Sequence, residues 1–386
     1  MPDLLPFPVD AGDLTAYRAA LAAALDGSGP AIAPYADGAA PTLDPTATRP
    51  DGLALVVSTS GSTGAPKRAM LTRDALIASA DATHERLGGP GQWLLPMPAH
   101  HIAGTQVLIR SLRAGTDPVS LPHFDIAEFV SAASTLAHER HYTALVPTQL
   151  RRLLDAGDDV RATVARFDGI LLGGAAADPR LLDEAADAGA TVLTTYGSSE
   201  TAGGCVYSGV PLNGTRVELA DDGRITLCGT TIASGYLGDV ERTTAVFGRL
   251  EDGTRTFRTD DLGVWRDGRL QVIGRIDDLI NTGGMKVAPR TVETAATTHL
   301  DVLEAVALGL PDREWGEAVA IAIRARTALS LQDIRAHLRD RVPPYALPKR
   351  LLLVDEMPLR GPGKPDRAAL AAAEGWQTLS PHQQAD

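Results

Sequence analysis

Cysteine is scarce in this sequence, and its scarcity limits the kinds of site that the chain can build. Only two cysteines, Cys205 and Cys228, occur in 386 residues. A thiolate metal cluster or a disulfide framework needs more thiols than this. The low number is typical of proteins in a reducing compartment.

Long apolar runs and an excess of positive charge are also absent. No apolar stretch approaches the roughly 20 residues that a membrane-spanning helix needs, and no early basic residue provides the charged start of a secretory signal. The formal net charge of −12 argues against broad binding to nucleic acids or anionic membranes. We therefore expect a cytoplasmic protein that is not inserted in a membrane and that holds anionic ligands at local positive sites.

Lysine is the scarcer of the two strongly basic residues. Four of the 36 basic residues are lysines, and the others are arginines; the lysines are Lys67, Lys286, Lys349 and Lys364. A compact ammonium group cannot be exchanged for a planar guanidinium at a tight phosphate or carboxylate site. Each lysine therefore marks a candidate site, and Lys349 is the one most easily explained by chance.

The order of apolar segments predicts an α/β protein of at least two domains. Strand-like runs at residues 93–95, 143–146, 169–172 and 191–195 alternate with helical stretches at 126–136 and 179–188. This alternation predicts mostly parallel sheets covered by helices, whereas residues 29–50 have the composition of a connector.

Two hairpin patterns, with turns at 221–223 and 267–268, predict a β-rich subdomain. A smaller α+β segment follows. We expect a large N-terminal domain over residues 1–276 and a small C-terminal domain over residues 277–386.

A segment rich in hydroxyl groups and glycines, residues 58–68, follows the apolar run 53–57. Glycines let backbone N–H groups approach an anion, hydroxyls donate further hydrogen bonds, and Lys67 adds a mobile positive charge. We expect a phosphate-binding loop between a strand and a helix, although this composition is also typical of a solvated loop. Gly61 and Gly64 are too close together for the pattern G-x-x-x-x-G-K-[ST] of nucleoside triphosphatases.

Polar or glycine-rich segments follow three of the predicted strands, at residues 98–101, 173–176 and 196–201. In a parallel sheet the carboxyl ends of the strands meet at one edge, where ligands bind. Each segment alone has an ordinary explanation as a tight turn, a solvated loop or a core residue. Together they predict a ligand site, in which Glu200 could hold a divalent cation between nucleotide phosphates.

Five motifs in one order make a more specific pattern; they lie at residues 60–67, 196–201, 257–262, 274–280 and 361–364. This pattern resembles the adenylate-forming superfamily of acyl-CoA synthetases, peptide-synthetase adenylation domains and luciferases, over residues 53–367. The resemblance implies an acid–thiol ligase that uses ATP, Mg²⁺ and coenzyme A. It also implies that the small C-terminal domain is mobile.

The resemblance implies a role for each matching residue. The residues expected around the ATP phosphates are Thr59, Ser60, Gly61, Ser62, Thr63, Gly64 and Lys67. Those expected around the adenosine are Gly174, Ala175, Ala176, Tyr196, Gly197, Asp261 and Arg275. The expected catalytic residues are Lys364, Glu200, Ser199 and His101.

Other matching positions concern the metal, the hinge and the thiol. Glu200 is the expected magnesium ligand and Asp277 the expected hinge between the domains. Gly283 and Gly284 match the loop that lines the pantetheine tunnel.

The sequence departs from the superfamily pattern at three places. Asp260 replaces a usual glycine before the ribose-binding aspartate, and Arg68 replaces a usual glycine after Lys67. The phosphate loop also begins at residue 58, much earlier than in most relatives, so we expect part of one N-terminal subdomain to be missing or minimal. Neither Asp260 nor Arg68 removes a group that the chemistry needs.

A narrower resemblance concerns the acid. Residues 98–111, 143–150 and 196–210 are similar to the short actinobacterial form of the 2-succinylbenzoate–CoA ligases of menaquinone synthesis, which implies 2-succinylbenzoate as the substrate. The expected acid pocket consists of His101, Thr105, Gln106, Ser198, Gly203 and Gly204, with Arg110 as a further donor.

Two alternatives remain open at this point. The first is a CoA ligase for another aryl or fatty acid. The second is a non-catalytic module that binds ATP or an acyl-AMP, although such a module has no need of Lys364 or Glu200. The sequence leaves the oligomeric state open, a homo-oligomer included.

Overall fold

The computed structural model describes residues 3–36, 38, 40–59, 67–359 and 365–378. The chain divides into two compact units. The first comprises Met1–Ala220, Ile225–Thr259 and Asp267–Arg269, and the second comprises Asp221–Arg224, Asp260–Arg266 and Leu270–Asp386.

Helices and strands alternate through most of the chain. The strands are β1 (Leu4–Pro8), β2 (Ala31–Tyr35), β3 (Leu53–Thr59), β4 (Lys67–Thr72), β5 (Gln92–Leu95), β6 (Val119–Ser120), β7 (His141–Leu145), β8 (Gly169–Leu172), β9 (Val192–Ser198), β10 (Gly203–Tyr207), β11 (Val210–Pro211), β12 (Thr215–Leu219), β13 (Arg224–Gly229), β14 (Phe247–Arg249), β15 (Arg255–Arg266), β16 (Arg269–Arg275), β17 (Ile280–Thr282), β18 (Met285–Val287), β19 (Val302–Asp312), β20 (Gly316–Ala325), β21 (Arg350–Leu353) and β22 (Gln377–Thr378).

The α-helices are α1 (Thr15–Asp26), α2 (Arg73–Arg86), α3 (Ile102–Ala114), α4 (Ile126–Ser134), α5 (Pro147–Asp155), α6 (Asp158–Ala165), α7 (Pro179–Asp187), α8 (Val240–Val246), α9 (Pro289–Thr297), α10 (Leu331–Leu338) and α11 (Arg367–Ala371), and short 3₁₀ turns lie at Ser199–Thr201 and Pro344–Ala346. Among the helices of the described ranges, none has both the length and the apolar character that crossing a bilayer requires.

Parallel strands form the centre of the first unit. Seven strands pair in the order β11-β10-β9-β8-β7-β5-β6, and the neighbours from β9 to β6 are parallel. Trp93 of β5 and Tyr142 of β7 are fully buried, with ring centroids 5.2 Å apart. The four predicted strand-like runs correspond to β5, β7, β8 and β9, so the predicted parallel sheet is confirmed.

A second sheet in this unit corrects two predictions. Its order is β1-β2-β3-β4, with β4 antiparallel to β3. Residues 29–50 are not simply a connector, because they contain β2, a short strand whose Pro34 weakens the strand signal. The predicted phosphate loop does not lead directly into a helix either, because β4 with its buried Ala69 and Leu71 precedes α2.

Both predicted hairpins are present after residue 214. β12 and β13 pair antiparallel, with Leu219 opposite Ile225, and β15 pairs with β16. The β-rich segment is therefore confirmed.

The second unit has a sheet of its own with helices packed on it. The strand order is β18-β17-β20-β21-β22, and β19 pairs with β20. Ile321 of β20 and Ile334 of α10 belong to the same buried cluster. The backbone N–H of Asp333 donates to Oγ of Ser330 at 3.2 Å, and the N–H of Ser330 donates to the Asp333 carboxylate at 2.9 Å, which confirms the predicted capping box.

Candidate active site

The predicted phosphate loop begins and ends at one point of the first unit. Thr59 at the end of β3 pairs with Lys67 at the start of β4. Because these strands are antiparallel neighbours, the chain that leaves β3 returns beside it. Five of the expected phosphate ligands lie outside the described residues; they are Ser60, Gly61, Ser62, Thr63 and Gly64.

Glu200 is held in place immediately after β9. It lies in the 3₁₀ turn Ser199–Thr201 and is only 7% exposed. The Tyr236 hydroxyl donates a hydrogen bond to its Oε1 atom at 2.8 Å. A buried carboxylate needs such donors because it has lost its hydration shell.

The segments after β8 and β9 depend on close backbone approach. A Cβ atom on Gly173 would lie 2.5 Å from Oγ1 of Thr195. Gly197 has φ +158°, and a Cβ there would lie 2.2 Å from the carbonyl oxygen of Gly203. Glycine avoids a collision with the Thr195 side chain at the first position and with the Gly203 backbone at the second.

The adenine candidates lie at the carboxyl ends of neighbouring strands. Gly174, Ala175 and Ala176 follow β8, and Tyr196 lies in β9, where it pairs with Val206 of β10. Gly174 and Ala176 are exposed, whereas Ala175 and Tyr196 are partly buried.

Helix α3 brings part of the expected acid pocket together. A Cβ on Gly203 would lie 3.4 Å from Cγ of Gln106, so these two residues are neighbours. Oε1 of Gln106 is buried without a hydrogen-bond partner among the described residues, and so is Oγ of Ser198. Gly204 packs instead against Tyr207 and Thr195.

The other two α3 candidates have different surroundings. The Thr105 hydroxyl is bonded to the Tyr17 hydroxyl at 2.9 Å and donates to the Ala99 carbonyl at 2.8 Å. Thr105 therefore faces α1 and is already satisfied. His101 is exposed at the start of α3, with its ring 4.2 Å from that of His100.

Arg110, one helical turn after Gln106, is a buried cation. It is 3% exposed, and within the described ranges no carboxylate forms an ion pair with it. Its Nη2 donates to the Tyr207 hydroxyl at 3.4 Å, and its Nε has no partner among the described atoms. Burial lowers the pKa of the guanidinium, and the interaction with Tyr207 partly offsets this effect.

In the second unit, Arg275 lies among three carboxylates. Its Nε and Nη2 donate to the two oxygens of Asp277 at 2.8 and 2.9 Å, and its Nη1 donates to Asp261 at 3.2 Å. Asp260 lies 3.7 Å away and also accepts from Arg224. Burial opposes the charged form of Arg275, but the hydrogen bond with Asp277 and the three negative charges together raise its pKa.

This network accounts for Asp260 at a position that is usually glycine. The extra carboxylate lies between two arginines, which compensates its charge.

Of the remaining candidates, Gly283 and Gly284 lie in a turn of the second unit. Gly283 and Gly284 join β17 to β18 with φ values of +57° and +79°, which suits a two-residue hairpin. A Cβ on Gly283 would lie 2.4 Å from the Trp315 ring, so a larger residue does not fit. Lys364 lies outside the described residues.

Sequence reasoning missed Tyr236 and Arg224. Tyr236 follows a glycine in an ordinary-looking turn, and its contact with Glu200 spans 36 positions. Arg224 is one of many arginines and becomes distinctive only through its ion pair with Asp260. Neither residue carries a local sequence signal.

Comparison with known proteins identifies the family of this chain. The model of the AMP-binding enzyme family matches residues 11–237, and that of the AMP-binding enzyme C-terminal domain matches residues 291–364. A Mycobacterium tuberculosis protein named "Probable 2-succinylbenzoate–CoA ligase" is 46% identical over 329 residues, which cover 83% of this chain and 84% of the relative. A Listeria monocytogenes 2-succinylbenzoate–CoA ligase is 30% identical, with 82% of this chain and 69% of the relative covered.

A solved structure shares the fold. The o-succinylbenzoate CoA synthetase of Bacillus subtilis, in complex with the acyl-adenylate intermediate OSB-AMP, superposes with a TM-score of 0.75 at 23% identity, covering 96% of this chain and 84% of that chain. The predicted fold class, with a large N-terminal and a small C-terminal domain, is thereby confirmed. The chain belongs to the AMP-binding enzyme family, within the adenylate-forming superfamily that its motifs resemble.

Proposed function

We propose that this protein ligates 2-succinylbenzoate to coenzyme A through an acyl-AMP intermediate, with release of pyrophosphate and AMP. The observation that carries the choice of acid is the buried Arg110 guanidinium, which has no carboxylate partner among the described residues. The two ligases of the same name that are 46% and 30% identical support it.

The first step joins two anions. A carboxylate oxygen of the acid attacks the α-phosphorus of ATP, the bond to the β-phosphate oxygen breaks, and pyrophosphate leaves. Lys67 at the end of the phosphate loop and Lys364 would offset the repulsion between the carboxylate and the phosphates. Fixed positive charge in a water-poor site lowers the barrier to this attack, because the charged groups need not reorganise during the reaction.

A magnesium ion fits the chemistry of the residues present. Mg²⁺ is usually held by one or two carboxylates together with substrate phosphates. Glu200 offers one such carboxylate, because Tyr236 engages Oε1 and no described residue bonds to Oε2. When bound, the ion would neutralise phosphate charge.

Arg110 gives the acid its specificity in this proposal. 2-Succinylbenzoate carries a second carboxylate on its ring, and burying that charge without a partner costs several kcal/mol. Arg110 would supply the opposite charge. Oε1 of Gln106 and Oγ of Ser198, which have no hydrogen-bond partner among the described residues, are further polar atoms of the expected pocket. A fatty acid has no second carboxylate that could pair with the Arg110 guanidinium.

The second step needs a path for a thiol. The sulfur of coenzyme A attacks the acyl carbonyl, and AMP leaves with the electron pair of the mixed-anhydride bond. We propose that residues 277–386 act as a mobile domain that turns about Asp277. This rotation would remove Lys364 from the active site and bring in the Gly283-Gly284 turn. ATP and coenzyme A are both cytoplasmic metabolites, so we place the enzyme in the cytoplasm.

Product analysis tests the proposal. We expect one pyrophosphate and one AMP for each thioester formed from ATP, coenzyme A and 2-succinylbenzoate. ATP binding without pyrophosphate release, over a panel of carboxylic acids, would instead identify a non-catalytic binding module. Thioester formation with another acid but not with this one would overturn only the choice of substrate.

A further inference from the structure

Tyr236 lies between two charged groups that the proposed function assigns to the ATP phosphates. Its hydroxyl donates to Oε1 of Glu200 at 2.8 Å, and its ring centroid lies 5.7 Å from Nζ of Lys67. Tyr236 is 4% exposed and Glu200 is 7% exposed. One buried side chain thus touches both the expected metal ligand and the lysine of the phosphate loop.

The backbone around Tyr236 fixes it to the same two segments. The N–H of Met70 donates to the Gly235 carbonyl, and the N–H of Leu237 donates to the Arg68 carbonyl, both at 2.9 Å. The N–H of Ala233 donates to the carbonyl of Glu200 at 2.8 Å. The turn that carries Tyr236 is therefore hydrogen-bonded both to β4 and to the turn that carries Glu200.

This geometry has a chemical consequence for the carboxylate. A phenol has a single O–H donor, and here it is directed at one of the two oxygens of Glu200. The hydrogen bond fixes the rotation of the carboxylate about its last side-chain bond and leaves Oε2 for a cation. Groups that orient a metal-binding side chain in this way typically change metal affinity by roughly 10- to 100-fold.

We infer that Tyr236 is a positioning residue that orients Glu200 toward the divalent cation of bound ATP. The inference rests on the proposed use of Mg-ATP, but it does not depend on which acid is ligated. The ring and the hydroxyl have separable roles, because the ring lies beside Lys67 and only the hydroxyl bonds Glu200.

The test measures the coupling between Mg²⁺ and ATP. Isothermal titration of the full chain with ATP, once with excess Mg²⁺ and once with a chelator, gives two dissociation constants, and their ratio is the coupling. We expect Tyr236→Phe, which keeps the ring, to reduce this ratio at least ~10-fold while leaving the affinity for metal-free ATP unchanged. Glu200→Gln should reduce the ratio as well, and adding Tyr236→Phe to it should have little further effect.

Tyr142→Phe is the matched control. Tyr142 is also buried, and its hydroxyl donates to the carbonyls of Leu87 and Gly89 rather than to a site residue. The Tyr142→Phe variant should keep the wild-type ratio of the two dissociation constants. A wild-type ratio in Tyr236→Phe, or an equal loss of affinity for metal-free and Mg-bound ATP, would overturn the inference. Because no acid is present, failure of the proposed ligation would appear separately, in the product analysis.

Discussion

The Arg110 guanidinium lies over the Trp93 ring, 5.1 Å from its centroid, and both side chains are buried. A cation above an aromatic face gains about 1–2 kcal/mol, but the ring does not neutralise its charge, and no carboxylate of the described residues forms an ion pair with it. The folded protein therefore keeps a cation in its interior whose natural complement is an anionic ligand. This is the strongest structural reason to expect a second carboxylate on the substrate.

Removing the Arg110 cation should affect the thermal stability and the substrate specificity of the protein differently. Arg110→Met keeps most of the volume, so we expect the thermal midpoint to stay the same or rise, because the variant loses a buried charge that has no carboxylate partner among the described residues. The kcat/KM for 2-succinylbenzoate should fall at least ~30-fold, since truncating one partner of a buried charge pair costs about 2–5 kcal/mol. The value for benzoate should change little, and an equal fall for both acids would contradict the assignment.

Lys364→Ala should affect the two half-reactions differently. Losing one preorganised charge should cost ~3–4 kcal/mol, or two to three decades in the rate of acyl-AMP formation. Thioester formation from supplied acyl-AMP should persist, which rapid-quench measurements of each step can check. Equal losses in both steps would mean that Lys364 does not act in adenylation alone.

Asp277→Pro should have the opposite effect. A hinge residue must change φ, and proline fixes φ near −65°, so we expect acyl-AMP formation to continue while thioester formation is lost. Asp277→Ala is the control, because it removes the carboxylate that binds Arg275 but leaves φ free. Equal rates of the two steps in the proline variant would remove the case for rotation about this residue.

Much of the fold could be predicted because its signals are local. The apolar run at 169–172 predicts a strand, and β8 occurs at Gly169–Leu172. The pattern from residue 179 predicts a helix, and α7 begins at Pro179. Proline at the first position of α7 and the apolar run of β8 are signals that a few consecutive residues carry. A short strand such as β2 has too few apolar residues for its strand signal to be recognised when one of them is a proline.

The candidate site was less accessible from sequence, because its contacts join distant residues. The neighbours Gln106 and Gly203 are almost a hundred positions apart, and the partner of Glu200 lies in another turn altogether. Thr105 was expected in the acid pocket, yet its hydroxyl is bonded to Tyr17. Which face of a helix a side chain occupies depends on its tertiary neighbours.

The central claim, ligation of 2-succinylbenzoate, is tested most directly by comparing steady-state kcat/KM for CoA ligation with 2-succinylbenzoate, benzoate, succinate and decanoate. A site whose buried polar groups lose their ligand partner discriminates by at least ~2.7 kcal/mol. We therefore expect 2-succinylbenzoate to exceed each of the other three by at least ~100-fold. A higher kcat/KM with benzoate, succinate or decanoate would contradict the account.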